Sequence, residues 1–197
     1  MRHAFVVVDD FYDDPDEIRA RALRLKYKRP EGVNYPGVVA STPDDIEPAM
    51  ASFSRLLGGI DIKCRRDQGA FRITTAADTA RRTSMVHVDT PDFSAIVHLS
   101  KGQGEGTYFY RHKALDLERV SPEDNERPAV RRAIETDTLN LAAWEVIHMI
   151  PMKYNRLLIF DGKYFHSGAH RLTGATRAEG RMTQNFFFFR ADTLVKG

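Results

Sequence analysis

Residues 181–190 read RMTQNFFFFR, and this run decides the fold because its phenylalanines and threonine favour a β-strand. Side chains alternate between the two faces of a strand, so Arg181 and Thr183 share one face. The alternating rings of residues 186–189 are predicted to pack against layers on both sides. We therefore predict a strand at 181–190 that lies between two layers of the core.

Short β-prone runs, separated by turn residues, make up most of the chain before this strand. They are predicted at residues 4–8, 60–64, 70–75, 84–89, 94–99, 107–110, 156–160 and 163–166. With two helices near the N-terminus, this pattern indicates an α+β domain that is mainly β, with the helices on the outer face of one sheet. No repeat or linker interrupts the pattern, so residues 1–197 are predicted to form one domain.

The helices are predicted from their end signals. Asp14 is predicted to cap the first helix, because Pro15 suits the first helical position and Glu17 stands three residues after the cap. A second helix is predicted at 45–57, where two glycines follow. A short third helix is predicted at 138–148, with Trp144 as its anchor in the core.

The segment 115–133 is strongly charged and contains two prolines, so it is predicted to be a partly helical excursion on the surface. Long insertions in compact domains are often binding lids, whereas others are inert loops. The sequence leaves both possibilities open.

Composition excludes several classes of protein. The chain has 197 residues and a formal charge of only +2, which gives no reason to expect a nucleic-acid partner. Cys64 is the single cysteine, so neither an internal disulfide nor a cysteine zinc site can form. No apolar stretch approaches the roughly 20 residues of a membrane helix, and we expect a cytoplasmic protein without a membrane partner. The sequence does not indicate an oligomeric state.

Two histidines and an aspartate form a candidate metal site. Residues 85–89 read MVHVD, and side chains two apart on a strand point the same way, so His87 and Asp89 can reach a common point. His166 ends the later run LLIFDGKYFH. Two histidines and one carboxylate form the facial triad of non-haem Fe(II) oxygenases. The alternative is a surface turn in which Asp89 caps the bend at 90–91.

The pair Arg181 and Thr183 is a candidate carboxylate site. A guanidinium grips a carboxylate through two charge-assisted hydrogen bonds, and a hydroxyl on the same strand face can add a third. The distal carboxylate of 2-oxoglutarate requires such a grip. The alternative is an exposed arginine that merely opens the strand.

The order of these motifs resembles the 2-oxoglutarate/Fe(II)-dependent dioxygenase superfamily, in particular its prolyl-hydroxylase-like branch and uncharacterised bacterial relatives. The resemblance covers roughly residues 70–190: His-x-Asp, the glycine-rich turn and aromatic strand GQGEGTYFY, an apolar strand, histidine, and Arg-x-Thr. It implies a double-stranded β-helix (jelly roll) with its site at the open end. It also implies that His87, Asp89 and His166 bind Fe(II), while Arg181 and Thr183 bind 2-oxoglutarate.

The interval between His166 and Arg181 is longer than in many prolyl hydroxylases, so His170 is a competing ligand and Arg177 a competing clamp. We prefer His166 because it ends an apolar strand, and Arg181 because it begins one. Further candidates for contacts around the site are Arg72, His98, Tyr108 and Tyr110.

The predicted function is an oxygenase that uses dioxygen and 2-oxoglutarate to hydroxylate a small-molecule or peptide substrate. Two alternatives stay open, because barrels of this shape serve many functions. One is a binding protein without enzymatic activity, and the other is a cupin-type metal enzyme that does not use 2-oxoglutarate.

Overall fold

A computed structural model of the chain describes residues 5–30, 35–40, 45–64, 68–81, 85–102, 104–170, 172 and 174–194. The strands are β1 (Phe5–Val8), β2 (Tyr27–Lys28), β3 (Val38–Ala40), β4 (Ile62–Cys64), β5 (Ala70–Thr74), β6 (Phe93–His98), β7 (Gly104–His112), β8 (Trp144–Met152), β9 (Arg156–Asp161), β10 (His166–Ser167) and β11 (Arg181–Arg190). The helices are α1 (Pro15–Arg24), α2 (Glu47–Leu56), α3 (Ala76–Arg81), α4 (Pro122–Glu126), α5 (Pro128–Asp137) and α6 (Ala191–Leu194). The protein is therefore mainly β, as predicted.

The strands of the described residues form two antiparallel sheets. The larger sheet has the order β1-β9-β6-β11-β5-β3-β2, and β4 also pairs with β11. The smaller sheet has the order β10-β7-β8. Strand β11 begins and ends where the sequence predicted, and it lies between β6 on one side and β5 and β4 on the other.

One face of the larger sheet packs against α1 and α2, as predicted. Phe53 of α2 lies with its ring centroid 5.0 Å from that of Phe186 and 5.5 Å from that of Phe188. All three rings and Ala22 of α1 are fully buried. Burying a phenylalanine contributes about 1.5–3 kcal/mol, so these contacts hold the helices on the sheet.

The other face of the larger sheet is turned toward the smaller sheet. Phe109 of β7 is fully buried and packs with Ile96 of β6 and with Leu158 and Phe160 of β9. The two sheets are thus layers that share an apolar core on this side, and the cavity described below opens beside it.

The predicted end signals of the first helix are confirmed. Asp14 accepts a hydrogen bond of 2.9 Å from the backbone amide of Glu17, and Pro15 begins α1. Helix α2 is one to two residues shorter at each end than the predicted 45–57. No helix in the described ranges is both long enough and apolar enough to cross a membrane.

The predicted helix at 138–148 is wrong. Only residues 141–143 form a single 3-10 turn, and Trp144 begins strand β8, which pairs with β7 along its length. The indole nitrogen of Trp144 donates to the carbonyl of Asp137, so this residue does anchor the core, but from a strand. Pairing with a distant strand outweighs local helix propensity here. Pro151 fits because β8 is an edge strand.

The predicted strand at 84–89 is also wrong for its described part, residues 85–89. Its backbone amides donate to three separate segments, at Thr138, His166 and Gly162, so it forms one isolated bridge and no ladder. Ser84 lies outside the described residues. Of the strand predicted at 163–166, only His166 lies in a strand, because β10 is limited to His166–Ser167.

Candidate metal centre

His87, Asp89 and His166 lie together at the wall of a cavity on the inner face of the larger sheet. Nε2 of His87 is 3.7 Å from Oδ1 of Asp89, and Nε2 of His166 is 3.3 Å from Oδ2. One ligand atom from each residue lies within 4.8 Å of the others. The structure therefore brings together the three residues that the sequence pattern singles out.

The donor set fits a divalent transition-metal ion. Ligand atoms roughly 2.1 Å from an ion and at right angles to each other lie about 3.0 Å apart. The distances of 3.3 Å and 3.7 Å are close to this spacing. Two imidazoles and a carboxylate on one side of an ion, with open positions opposite, suit Fe(II).

The backbone fixes both histidine rings. His87 and His166 exchange backbone hydrogen bonds of 3.0 Å and 2.9 Å, although they are far apart in sequence. Each ring places Nδ1 2.9 Å from a carbonyl two residues earlier, at Met85 and at Tyr164. A carbonyl only accepts, so Nδ1 carries the proton and Nε2 keeps its lone pair for a metal.

Asp89 is held by a side chain and by a close backbone approach. Ser94 of β6 donates its hydroxyl to Oδ2 at 2.5 Å, and the Asp89 amide donates to the carbonyl of Gly162 at 2.7 Å. A Cβ at Gly162 would lie 2.5 Å from the carbonyl oxygen of Pro91, so only glycine fits. The carboxylate thus accepts from Ser94 and points at the histidines.

Electrostatics favour the protonation states that a metal site needs. Burial, reinforced by His166, lowers the pKa of His87 to about 4. Burial alone would raise the pKa of Asp89, but His166, His87 and Ser94 together lower it below its ordinary value. At neutral pH, His87 is therefore neutral and Asp89 is ionised.

Arg181 and Thr183 line the same cavity from β11. Arg181 is 8% exposed, and its buried Nε has no hydrogen-bond partner. Burial lowers the pKa of Arg181, although a guanidinium stays charged. The Thr183 hydroxyl donates to Oδ1 of Asn185 at 2.7 Å. A buried unpaired guanidinium facing a cavity is suited to an anionic ligand.

Arg72 of β5 and Tyr35 line this cavity as well. The guanidinium of Arg72 lies 5.2 Å from the ring centroids of both Tyr35 and Phe187. The Thr74 hydroxyl donates to the Tyr35 hydroxyl at 2.7 Å, and burial raises the pKa of Tyr35 to about 12. A Cβ at Gly37 would clash with the backbone carbonyl of Ile73 and lie 2.6 Å from that hydroxyl, so glycine lets this loop pack closely on β5.

The structure does not bring the two competing residues into the cavity. Nε2 of His170 lies 2.7 Å from the Tyr110 hydroxyl and 3.1 Å from the Ser167 hydroxyl. Arg177 is exposed, with its guanidinium 5.3 Å from the ring centroid of Tyr27. Neither residue is among those that line the cavity in the described part of the chain.

Of the further candidates, only Arg72 reaches the cavity wall. Tyr108 and Tyr110 lie on β7 and surround His170 instead. His98 is fully buried beside Thr183 in the sheet, and neither ring nitrogen has a partner. Burial, with the charges of Arg181 and another arginine, lowers the pKa of His98 well below its ordinary value, so it is neutral.

The excursion at 115–133 lines no part of the cavity among the described residues. Its first part runs beside the segment that carries His166, where the Phe165 amide donates to the carbonyl of Glu118 at 3.0 Å. Val120 packs with Val86, next to His87. The excursion therefore contacts the ligand segments from outside the cavity.

Sequence reasoning missed three residues of the site. Ser94 begins the strand predicted at 94–99. Because it stands two residues before Ile96, the two side chains share a face of that strand, which could have indicated that Ser94 points inward. Asn185 stands two residues after Thr183 in the predicted strand, so alternation could have indicated that it shares the inner face with Arg181 and Thr183. Tyr35 carried no signal, because it lies in a loop.

Solved structures that are similar in fold to this chain include members of the 2OG-Fe(II) oxygenase family. HygX from Streptomyces hygroscopicus, with nickel and 2-oxoglutarate bound, is 14% identical, with a TM-score of 0.59 over 95% of this chain and 83% of that one. A prolyl hydroxylase from Trichoplax adhaerens, in complex with a hypoxia inducible factor peptide fragment, is 12% identical, with a TM-score of 0.59 over 98% and 87%. A 2OG-Fe(II) oxygenase family oxidoreductase from Burkholderia pseudomallei is 13% identical, with a TM-score of 0.56 over 95% and 84%.

The chain therefore has the fold of the 2-oxoglutarate/Fe(II)-dependent oxygenases, as the sequence motifs predicted. It belongs to the family described as "Family of unknown function (DUF6445)", whose profile matches residues 1–188. No curated protein matches this sequence.

Proposed function

We propose that this protein is a non-haem iron oxygenase that couples the oxidative decarboxylation of 2-oxoglutarate to hydroxylation of a C–H substrate. The observation that carries the proposal is one cavity that holds both the group His87, Asp89 and His166 and the unpaired guanidinium of Arg181. These three residues would hold Fe(II). Arg181 and Thr183 would hold the distal carboxylate of 2-oxoglutarate.

When bound, Fe(II) and 2-oxoglutarate supply dioxygen activation, with release of succinate and carbon dioxide. The chain orients and shields these groups. Ser94 keeps Asp89 ionised and aimed at both histidines. The Thr183 hydroxyl now donates to Asn185, so it must turn away from Asn185 to donate to a carboxylate held by Arg181.

We further propose that residues 1–197 form a single domain with the double-stranded β-helix topology. The shared core of Ile96, Phe109, Leu158 and Phe160 between the two sheets supports this. The primary substrate would be a small molecule or a peptide. HygX has been solved with hygromycin B, and the prolyl hydroxylase with a peptide fragment, so this fold accommodates both kinds.

The test is an anaerobic titration of the full chain, first with Fe(II) and then with 2-oxoglutarate. We expect the weak visible charge-transfer band of the chelate to appear on the second addition. His166→Ala removes one of three protein ligands and should abolish the band. His148→Ala is the matched control, because His148 is exposed on β8 and should leave the band unchanged.

The two alternatives give different results. A cupin-type metal site would bind Fe(II) but show no band with 2-oxoglutarate. A binding protein without a metal would take up no Fe(II). Either result in the wild-type chain, or a full band in His166→Ala, would refute the proposed function.

A further inference from the structure

The cavity contains a second guanidinium, that of Arg72, which the proposed function does not use. Its Nε is buried without a hydrogen-bond partner, and the Arg72 side chain forms no hydrogen bond or ion pair with the side chain or backbone of any described residue. The rings of Tyr35 and Phe187, both at 5.2 Å, contact it instead. These aromatic contacts hold the planar group in one orientation without neutralising its charge.

The side chain of Arg72 runs along β11, away from the start of that strand and toward the pair Phe187 and Ser94. Arg72 pairs with Thr183 across the sheet, and its guanidinium reaches Phe187, four residues further along β11 and away from Arg181. Phe187 pairs with Ser94, the residue that holds Asp89. Arg72 therefore extends toward the metal end of the cavity, whereas Arg181 stands at the other end.

The charges in the cavity do not balance without another anion. Asp89 is the only acidic residue among the described residues that line it, against two arginines. The charge of a divalent ion would cancel that of the 2-oxoglutarate dianion, and the negative charge of Asp89 would cancel the positive charge of one guanidinium. Since metal-bound histidines are neutral, one positive charge remains in a buried site. Such a charge is costly unless it is paired.

We propose that Arg72 binds the carboxylate of the primary substrate, so that the substrate is a small carboxylic acid that reacts close to its carboxylate. This inference rests on the proposed function, since it assigns the substrate class of the same site. A bidentate guanidinium–carboxylate pair suits the flat orientation of Arg72. The substrate is expected to be small because the guanidinium of Arg72 lies inside the cavity and not at the surface of the protein.

The test measures binding of propanoate, by calorimetry, to the full chain loaded with Zn(II) and 2-oxoglutarate, so that no turnover occurs. Propanamide is the neutral control ligand. We expect propanoate to bind and propanamide not to bind. Arg72→Gln should weaken propanoate binding by about 30-fold or more, the usual loss for a buried charge pair. The affinity for 2-oxoglutarate should stay within about threefold of wild type, a shift that corresponds to less than 1 kcal/mol.

Arg190→Gln is the matched control variant, because Arg190 also stacks on a phenylalanine, Phe93, but does not line this cavity. Propanoate binding should be unchanged in it. If Arg72→Gln does not fold, Arg72→Lys replaces it. That variant keeps the charge but loses the planar fork, so propanoate should bind more weakly than to wild type and still better than propanamide.

Three results would overturn the inference. Propanoate could bind Arg72→Gln as well as wild type, or wild type could fail to distinguish propanoate from propanamide. Alternatively, Arg72→Gln could weaken the binding of 2-oxoglutarate as much as Arg181→Gln does, which would make Arg72 part of the co-substrate site. A wild-type chain that does not bind 2-oxoglutarate would refute the proposed function itself, and the inference with it.

Discussion

Replacing Arg181 with methionine should lower the affinity for 2-oxoglutarate but not the stability of the ligand-free protein. Methionine keeps the apolar stem but removes the guanidinium. Arg181 is 8% exposed, and its side chain has no hydrogen-bond or ion-pair partner among the described residues, so its charge is available to a ligand in a poorly screened place. Loss of such a charge-assisted contact costs about 2–5 kcal/mol, which is roughly 30-fold or more in affinity. We therefore expect 2-oxoglutarate binding to fall by at least that factor, with metal affinity nearly unchanged.

The stability of the ligand-free protein should move the other way. An unsatisfied buried donor costs about 1–3 kcal/mol, and Arg181→Met removes the buried Nε that has no partner. The free energy of unfolding in urea should hold or rise by up to about 3 kcal/mol. A loss of affinity together with unchanged or greater stability would identify a ligand-binding residue, because a merely structural arginine would lose stability.

Arg177→Met is the matched control, since Arg177 is exposed and outside the cavity. Exposed charges contribute about 0–1 kcal/mol, so its effect on 2-oxoglutarate should stay below about fivefold. The assay is the charge-transfer titration with iron, repeated at several concentrations of 2-oxoglutarate. If Arg177→Met weakens binding more than Arg181→Met, the clamp has been assigned to the wrong arginine.

Three further substitutions test the supports of the site and the fold. Ser94→Ala removes a hydrogen bond worth about 1.5–3 kcal/mol to the Asp89 carboxylate, so the lowered pKa of Asp89 should rise. Zn(II) affinity should then fall at a higher pH on acidification than in wild type, and coincident pH profiles would contradict this. Gly37→Ala places a Cβ against the backbone carbonyl of Ile73 on β5 and 2.6 Å from the Tyr35 hydroxyl, and should lower both the melting temperature and 2-oxoglutarate affinity; an unchanged affinity would show that the close packing of this loop on β5 is not needed for binding. Asp14→Ala should cost about 0.5–2 kcal/mol of unfolding free energy through the lost cap, without any effect on ligand binding.

The sequence predicts the parts of this fold that local interactions determine. The bounds of β11 follow from its own residues, and α1 begins where Asp14 and Pro15 place it. The segment 138–148 could not be predicted correctly in the same way, because its strand exists only through pairing with β7. Sequence periodicity carries no information about which distant partner is present.

In the candidate site, too, local sequence predicts some residues, whereas others depend on contacts between distant segments. His87 and Asp89 could be recognised together because they stand two residues apart, and Arg181 with Thr183 for the same reason. Tyr35 reaches the cavity only through tertiary structure, where its hydroxyl accepts a hydrogen bond from Thr74, and Ser94 reaches it from the interior strand β6. Spacing within one segment is visible in a sequence, whereas convergence of segments is not.

The two faces of strand β11 have different roles: one stabilises the fold and the other lines the candidate site. Phe186 and Phe188 pack against α2 on the outer face, while Arg181 and Thr183 face the cavity. Burial of two rings contributes about 3–6 kcal/mol, which can offset about 1–3 kcal/mol for each unpaired arginine of the cavity. The unpaired charges are therefore tolerated without a ligand and available to one. Substitutions on the outer face should lower stability without a direct effect on binding, whereas Arg181→Met on the inner face should lower binding without a loss of stability.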